Sequence, residues 1–203
     1  MKNQTELPTG RPRDARASGA ILRAALELGI ENGFHEVTIE GIAARAGVGK
    51  TTIYRRWPDA WAVVVEAVMA RVTEVSPVLE RATARESFNV SMKLVAKSFR
   101  GRTGKFLRPL VARAQFDDEL RRSLGERWLG ARRKQSRAIV LRGIERGELR
   151  ANLDPDVVLD ALYGPIYHRL LLPYDGIDVR LSDAYIDALV DTVFGGLERK
   201  AQR

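Results

Sequence analysis

The chain has 203 residues, 45% of them hydrophobic, enough to build a core for one large or two small domains. It contains no cysteine and two histidines, which excludes a disulfide framework and a thiolate metal site and argues against a multi-imidazole one. The formal net charge of +8 favours a polyanionic partner such as nucleic acid, while no apolar run approaches the roughly 20 residues of a membrane span and the first 18 residues hold no apolar signal core.

These totals predict a soluble, cytoplasmic protein with no membrane partner and no cofactor. The charge is uneven: residues 93–150 carry +11 and residues 151–203 carry −4. The basic middle reads either as solvated helix faces, since Arg is a good helix former, or as an anion-facing or DNA-facing surface.

Residues 1–14, rich in Pro, Gly, Thr and basic groups, predict a flexible basic tail. Arg11, Arg13 and Arg16 at its end have the character of an arm that enters a minor groove, or of a solubilising leader. Ile21, Leu22, Ala25 and Leu28 then recur at helical spacing up to Asn32-Gly33, so a first helix is expected over about 15–32. Thr38 stands where an N-cap belongs, with Val37 and Ile42 placed as a hydrophobic staple, although Glu40 is one residue too early for a full capping box.

The second helix therefore starts at Ile39, with Ile39, Ile42, Ala43 and Ala46 turned inward. Gly47-Val48-Gly49 makes a tight turn. A short third helix follows from Lys50 to about Arg56, because Trp57 precedes Pro58 and the residue before proline is pushed out of the helical region. Asp59 caps a fourth helix carrying Trp61, Val64, Val65, Val68, Met69 and Val72 on one face. Further helices are expected over about 85–100, 104–115, 117–147, 155–172 and 182–200, broken by Gly101, Gly104, Gly147, Pro155 and the loop "LPYDGIDVR". No period-2 strand is visible, so the fold class is all-α with about nine helices.

The stretch "AGVGKTTIYRRW" contains Gly47-Val48-Gly49-Lys50-Thr51-Thr52, which has the look of a phosphate-binding loop. Such a loop needs a glycine where Ala44 stands and a buried strand before it, and here a helix precedes it. A helix-turn-helix uses the same residues better. Ile53 and Trp57, four apart, face the core, which leaves Lys50, Thr51, Thr52, Tyr54, Arg55 and Arg56 on the other faces, all donors and no carboxylate. Lys, Thr, Tyr and Arg reach phosphates, and Arg and Thr reach base edges.

With "TIEGIAARAGVGKTTIYRRWPDAWAVVVEAV" following a first helix that ends in "ENGF", residues 20–68 resemble the DNA-binding domain of the tetracycline-repressor (TetR) family of transcriptional regulators. The resemblance implies a helix-turn-helix domain over 15–60 and a helical effector-binding and dimerisation domain over 61–203. By it Thr38 holds a phosphate, and Lys50, Thr51, Thr52, Tyr54 and Arg56 carry groove and phosphate contacts, with Gly49 and Arg55 in the same set. Two residues depart from the family's pattern: Gly49 stands where Ser is frequent, and Ala60 where a lysine usually meets a phosphate at the start of the fourth helix.

In the last third, Asp154 and Pro155 supply a cap and a first helical residue, and Pro165 is expected to kink their helix. That helix is apolar nearly all round and so is expected to be covered on two sides; Ile186, Leu189, Val190, Val193, Phe194 and Leu197 make the last helix amphipathic. Similarity to the family implies that these two helices pair with their symmetry mates in a homodimer, giving two reading helices for palindromic double-stranded operator DNA. It also implies a cavity for a small-molecule inducer, with Phe99, Phe106, Trp128, Tyr163, Tyr167 and His168 as candidate contacts and Arg108 or Arg113 facing an anionic group. His35 and His168 lack the companions of an acid–base or nucleophilic pair, so neither a catalytic residue nor an enzyme is expected. The reading is a repressor released by its ligand; a helical adaptor without specific DNA binding, or a nucleotide binder using Gly47–Thr52, are its alternatives.

Overall fold

The computed structural model describes residues 11–172 and 181–198. Residues 1–10 of the expected tail and most of the "LPYDGIDVR" loop lie outside the described residues, as do the side chains of Arg11 and Arg13. The helices are α1 (Arg11–Asn32), α2 (Ile39–Ala46), α3 (Lys50–Tyr54), α4 (Ala60–Val75), α5 (Ala84–Arg100), α6 (Arg102–Ala114), α7 (Asp118–Ser123), α8 (Gly130–Glu145), α9 (Pro155–Leu171) and α10 (Asp183–Leu197). A π-helical segment, Leu124–Leu129, joins α7 to α8 without a break, so the described residues form nine continuous rods. They form no strand; Leu149 and Glu198 make one antiparallel bridge. The fold is all-α, as expected. No described helix is long and apolar enough to cross a membrane.

The chain divides into two compact units, Met1–Ala70 and Arg71–Arg203. In the first, α1 begins four residues ahead of its expected start. Gly29 lets Phe34 lie against α1, since a Cβ there would sit 2.0 Å from the ring. Thr38 Oγ1 accepts from Gly41 N at 3.1 Å and caps α2, an interaction worth about 1 kcal/mol. The other end of α2 closes on Gly47, whose φ of 65° is the left-handed conformation glycine adopts without strain. Ile21, Ala25, Ile42, Ile53 and Trp57 meet in this unit's core. α3 stops at Tyr54, two residues short of expectation, and Arg55 and Arg56 continue as a turn into Trp57-Pro58. Asp59 Oδ1 accepts from Ala62 N at 2.7 Å and caps α4.

In the second unit, Thr83 and Glu86 form a capping box, and α5 starts one residue earlier than expected. The T-x-x-E spacing was legible and marks that start. Phe88 is fully buried between Tyr163 of α9 and Phe194 of α10. Along α5, Arg85 meets Asp191 and Glu198, Asn89 and Lys93 meet Asp187, and Arg100 meets Asp183, a polar ladder binding α5 antiparallel to α10. Arg133 and Arg137 of α8 pair with Asp156 and Asp160 of α9. Part of the +11 segment is thus neutralised inside the fold by the acidic C-terminal helices.

Candidate functional site

α3 is held from beneath by two side chains. Ile53 is fully buried and Trp57 is 3% exposed, and their spacing of four leaves the opposite face of the helix to solvent. That face carries Lys50, Thr51, Tyr54 and Arg55, all exposed, with Thr52 half-buried beside them. Gly49 is the N-cap of α3 with extended backbone and supplies no side-chain cap. Thr38 is exposed at the start of α2. Lys50 Nζ lies 2.9 Å from Glu40 Oε1, which brings the first turn of α2 beside the first residue of α3. The set therefore forms one surface from Thr38 to Arg55.

The basic groups of this surface are held by acids of the same unit. The hydrogen bond and charge of Lys50 keep the Glu40 carboxyl below its ordinary range, and Glu40 in turn raises Lys50. Arg55 Nη2 reaches Asp14 Oδ1 at 3.0 Å. Both pairs are solvent-exposed, and pairs of this kind contribute little to folding and exchange readily for another anion. Arg56 is differently placed: it donates to Ser18 Oγ and Glu66 Oε1, each at 2.9 Å, and its guanidinium lies 4.9 Å from the centre of the Trp57 ring. Its geometry is that of a strut under α3. Ala60, where the family places lysine, opens α4 beside the Asp59 carboxylate that caps it.

The second unit holds a half-open cavity of about 590 Å³, within the ordinary range for small-molecule sites. Its wall includes Phe99, Trp128, Tyr163 and Tyr167, four of the six expected aromatic and histidine contacts. Phe106 and His168 do not line it. α6 turns Leu107, Val111 and Ala114 to the cavity, which carries Phe106 off the wall, and His168 follows Tyr167 on α9 by one step of about 100° and is exposed. Arg108 and Arg113 are engaged elsewhere, with the Leu170 carbonyl at 2.7 Å and Asp117 at 3.4 Å.

Sequence reasoning missed Ser76, Gln115, Arg121, Arg132, Arg133 and Ser136, which supply the polar part of the wall together with Asp160. It also missed the π segment, whose Leu124, Gly125, Trp128 and Leu129 face the cavity. π segments are frequent at functional sites because the widened turn re-aims side chains. Burial pushes the Tyr167 phenol up to about 12, with the Arg132 charge pulling the other way. Tyr163 is raised for the same reason, tempered by Ser136 and Arg132.

Comparison with known proteins agrees on both units. Residues 21–66 match the tetR family of bacterial regulatory proteins, and residues 84–193 match the tetracyclin repressor-like C-terminal domain. The chain is 35% identical over 189 residues to the HTH-type transcriptional regulator YdeS of Bacillus subtilis, covering 93% of each chain. It is 27% identical over 196 residues to the DNA-binding transcriptional repressor TetR of Mycobacteroides abscessus, covering 94% of this chain and 98% of that one. Among solved structures, the TetR family transcription regulator SCO0332 superposes with a TM-score of 0.76 at 27% identity, over 89% of this chain and 98% of that chain.

Proposed function

The chain belongs to the tetracycline-repressor (TetR) family of DNA-binding, helix-turn-helix transcriptional regulators, and from that premise we propose how its own residues bind DNA and respond to a ligand. The observation that carries the reading is the donor-only face of α3, set on Ile53 and Trp57. Lys50 and Thr51 enter the major groove at the N-terminal end of α3, where base edges are within reach. Tyr54, Arg55 and Thr38 bind flanking phosphates, with Thr52 and Gly49 allowing close approach. Arg56 positions α3 through Ser18, Glu66 and Trp57.

The protein acts as a homodimeric repressor in the cytoplasm, and no catalytic role is assigned to any residue. α9 leaves Val157, Ala161, Gly164 and Leu171 exposed at spacings of four, three and seven, on one helical face with His168 between the last two, and α10 leaves Ala184, Ala188 and Gly195 exposed. Small and apolar residues along two adjoining helices suit close packing against a second copy, which presents a second α3 to a palindromic site. The cavity of the second unit holds an effector, which releases DNA by binding better to the conformation in which the two α3 helices are misplaced.

Fluorescence anisotropy with labelled duplex from upstream of the protein's own gene, against scrambled duplex across a salt series, tests the reading. Competitor-resistant binding that falls steeply with salt supports it. Equal weak binding to both duplexes contradicts it at that site.

A further inference from the structure

The polar groups of the cavity converge on one place. Trp128 is 6% exposed, and its Nε1–H has no acceptor. Buried donors almost always find a partner, so an orphan on a cavity wall points to something that completes it. Tyr163 Oη, also on the wall, lacks a hydrogen bond of good geometry, although Ser136 lies close enough to influence it. Arg132 lies 6.0 Å from the centre of the Trp128 ring and donates Nη1 to the Ser76 carbonyl at 2.7 Å, which leaves most of its five N–H donors uncommitted. Its charge acts on both Tyr163 and Tyr167.

The charges of the wall single out the same residue. Arg121, Arg132 and Arg133 reach the cavity against one carboxylate, Asp160. Arg133 is committed to Asp156 and Asp160, and Arg121 to Asp118. Among the described residues, Arg132 makes no ion pair. A half-buried guanidinium without a counter-charge, beside an unpaired indole N–H and in a mainly apolar cavity, is a receptor for a single anionic group.

We propose that the cavity takes an apolar molecule bearing one carboxylate, received by the guanidinium of Arg132 and the Nε1–H of Trp128, with Tyr163 Oη as a further donor. The proposal rests on reading this cavity as the effector site. A cation would meet Arg132 with like charge. A neutral molecule would leave the guanidinium unpaired, and a polyphosphate would need more uncommitted cations than the wall offers. The rest of the molecule lies against Phe99, Leu107, Val111 and Leu124.

Calorimetric titration of the full chain with two matched sets tests this: decanoate, decanol and decylamine, and 2-naphthoate, 2-naphthalenemethanol and 2-naphthylmethylamine. In at least one set the carboxylate binds about ten-fold or more tighter than its alcohol, and the amine is weakest. Arg132→Gln brings carboxylate and alcohol to within about three-fold of each other, whereas Arg132→Lys, which keeps the charge, retains most of the preference. Trp128→Phe weakens the carboxylate more than the alcohol, and thermal melts verify that each variant is folded. The proposal is overturned if neither carboxylate binds, if both alcohols bind as tightly, or if the preference survives in folded Arg132→Gln. Anisotropy of labelled operator duplex is read separately. A carboxylate that binds with the expected preference without releasing DNA supports the ligand class and refutes the effector role.

Discussion

The indole nitrogen of Trp57 donates to Glu66 Oε2 at 2.9 Å, while the other oxygen of the same carboxylate accepts from Arg56. One residue of α4 thus fixes both the buried anchor and the strut of α3. Glu66→Ala leaves the Trp57 N–H buried without a partner, and the expected loss is about 1–3 kcal/mol of stability, with weaker DNA binding. Glu66→Gln keeps an acceptor for the indole and loses less. Denaturant midpoints of the two variants check the order; equal midpoints would show that the indole bond contributes nothing.

Lys50 and Glu40 should move DNA affinity in opposite directions. Lys50→Ala removes a phosphate or base-edge donor, weakening binding and lowering the salt slope by about one if the contact is to phosphate. Glu40→Gln frees Lys50 from its partner at 2.9 Å and removes a negative charge from the DNA-facing surface, so binding tightens by a factor of a few. Anisotropy titrations at several salt concentrations read both. Weaker binding by Glu40→Gln would mean that the pair shapes the surface rather than competing with DNA.

Ala60→Lys restores the residue common in the family at the start of α4. Tighter DNA binding and a salt slope steeper by about one are expected, with a small stability loss because a cation sits badly at a helix N-terminus. An unchanged salt slope would show that α4 does not approach the backbone of the duplex in this protein.

Gly195→Arg separates dimerisation from folding. A Cβ at Gly195 meets nothing within 4 Å in the single chain, and replacing a helical glycine favours the helix. The variant should melt no lower than the parent yet sediment as a monomer and lose affinity for a palindromic duplex. A Gly195→Arg dimer that binds DNA normally would place the interface elsewhere.

Tyr167 makes stability sensitive to alkaline pH. Its phenol ionises near 10 in the unfolded chain and at about 12 in the fold, because burial disfavours the phenolate. The unfolded chain therefore holds fewer protons between those values, and stability present below pH 10 is lost as pH rises towards 12. Tyr167→Phe should lessen the fall in denaturant midpoint between pH 9 and 11; an equal fall would assign the effect to other groups.

The reading domain was legible because its signals are local. Thr38, Gly47, Trp57-Pro58 and Asp59 each act through neighbours within a few residues, and the spacing of Ile53 and Trp57 defines the exposed face of α3 by elimination. The commitments of Arg55 to Asp14 and of Arg56 to Ser18 and Glu66 were not legible, since partners 10 to 41 residues away depend on how helices pack. In the cavity, Tyr163 and Tyr167 announce themselves four apart on α9. Arg132 looks like any other arginine of the basic segment, and only the packing of the second unit shows that it lines the cavity without a carboxylate partner among the described residues. Nothing in "LGERWL" marks a π turn.

The central claim is that α3 reads DNA sequence from a two-fold dimer. Selection of tight binders from a pool of randomised duplexes, followed by sequencing, tests it with no operator chosen in advance. The account predicts an enriched inverted repeat whose half-site centres lie about one helical turn apart or a multiple of it, and loss of that enrichment when Lys50 and Thr51 are both replaced by Ala. A pool that stays unenriched while the protein still binds duplex at low salt would contradict it, leaving the +8 charge as a sequence-blind attraction.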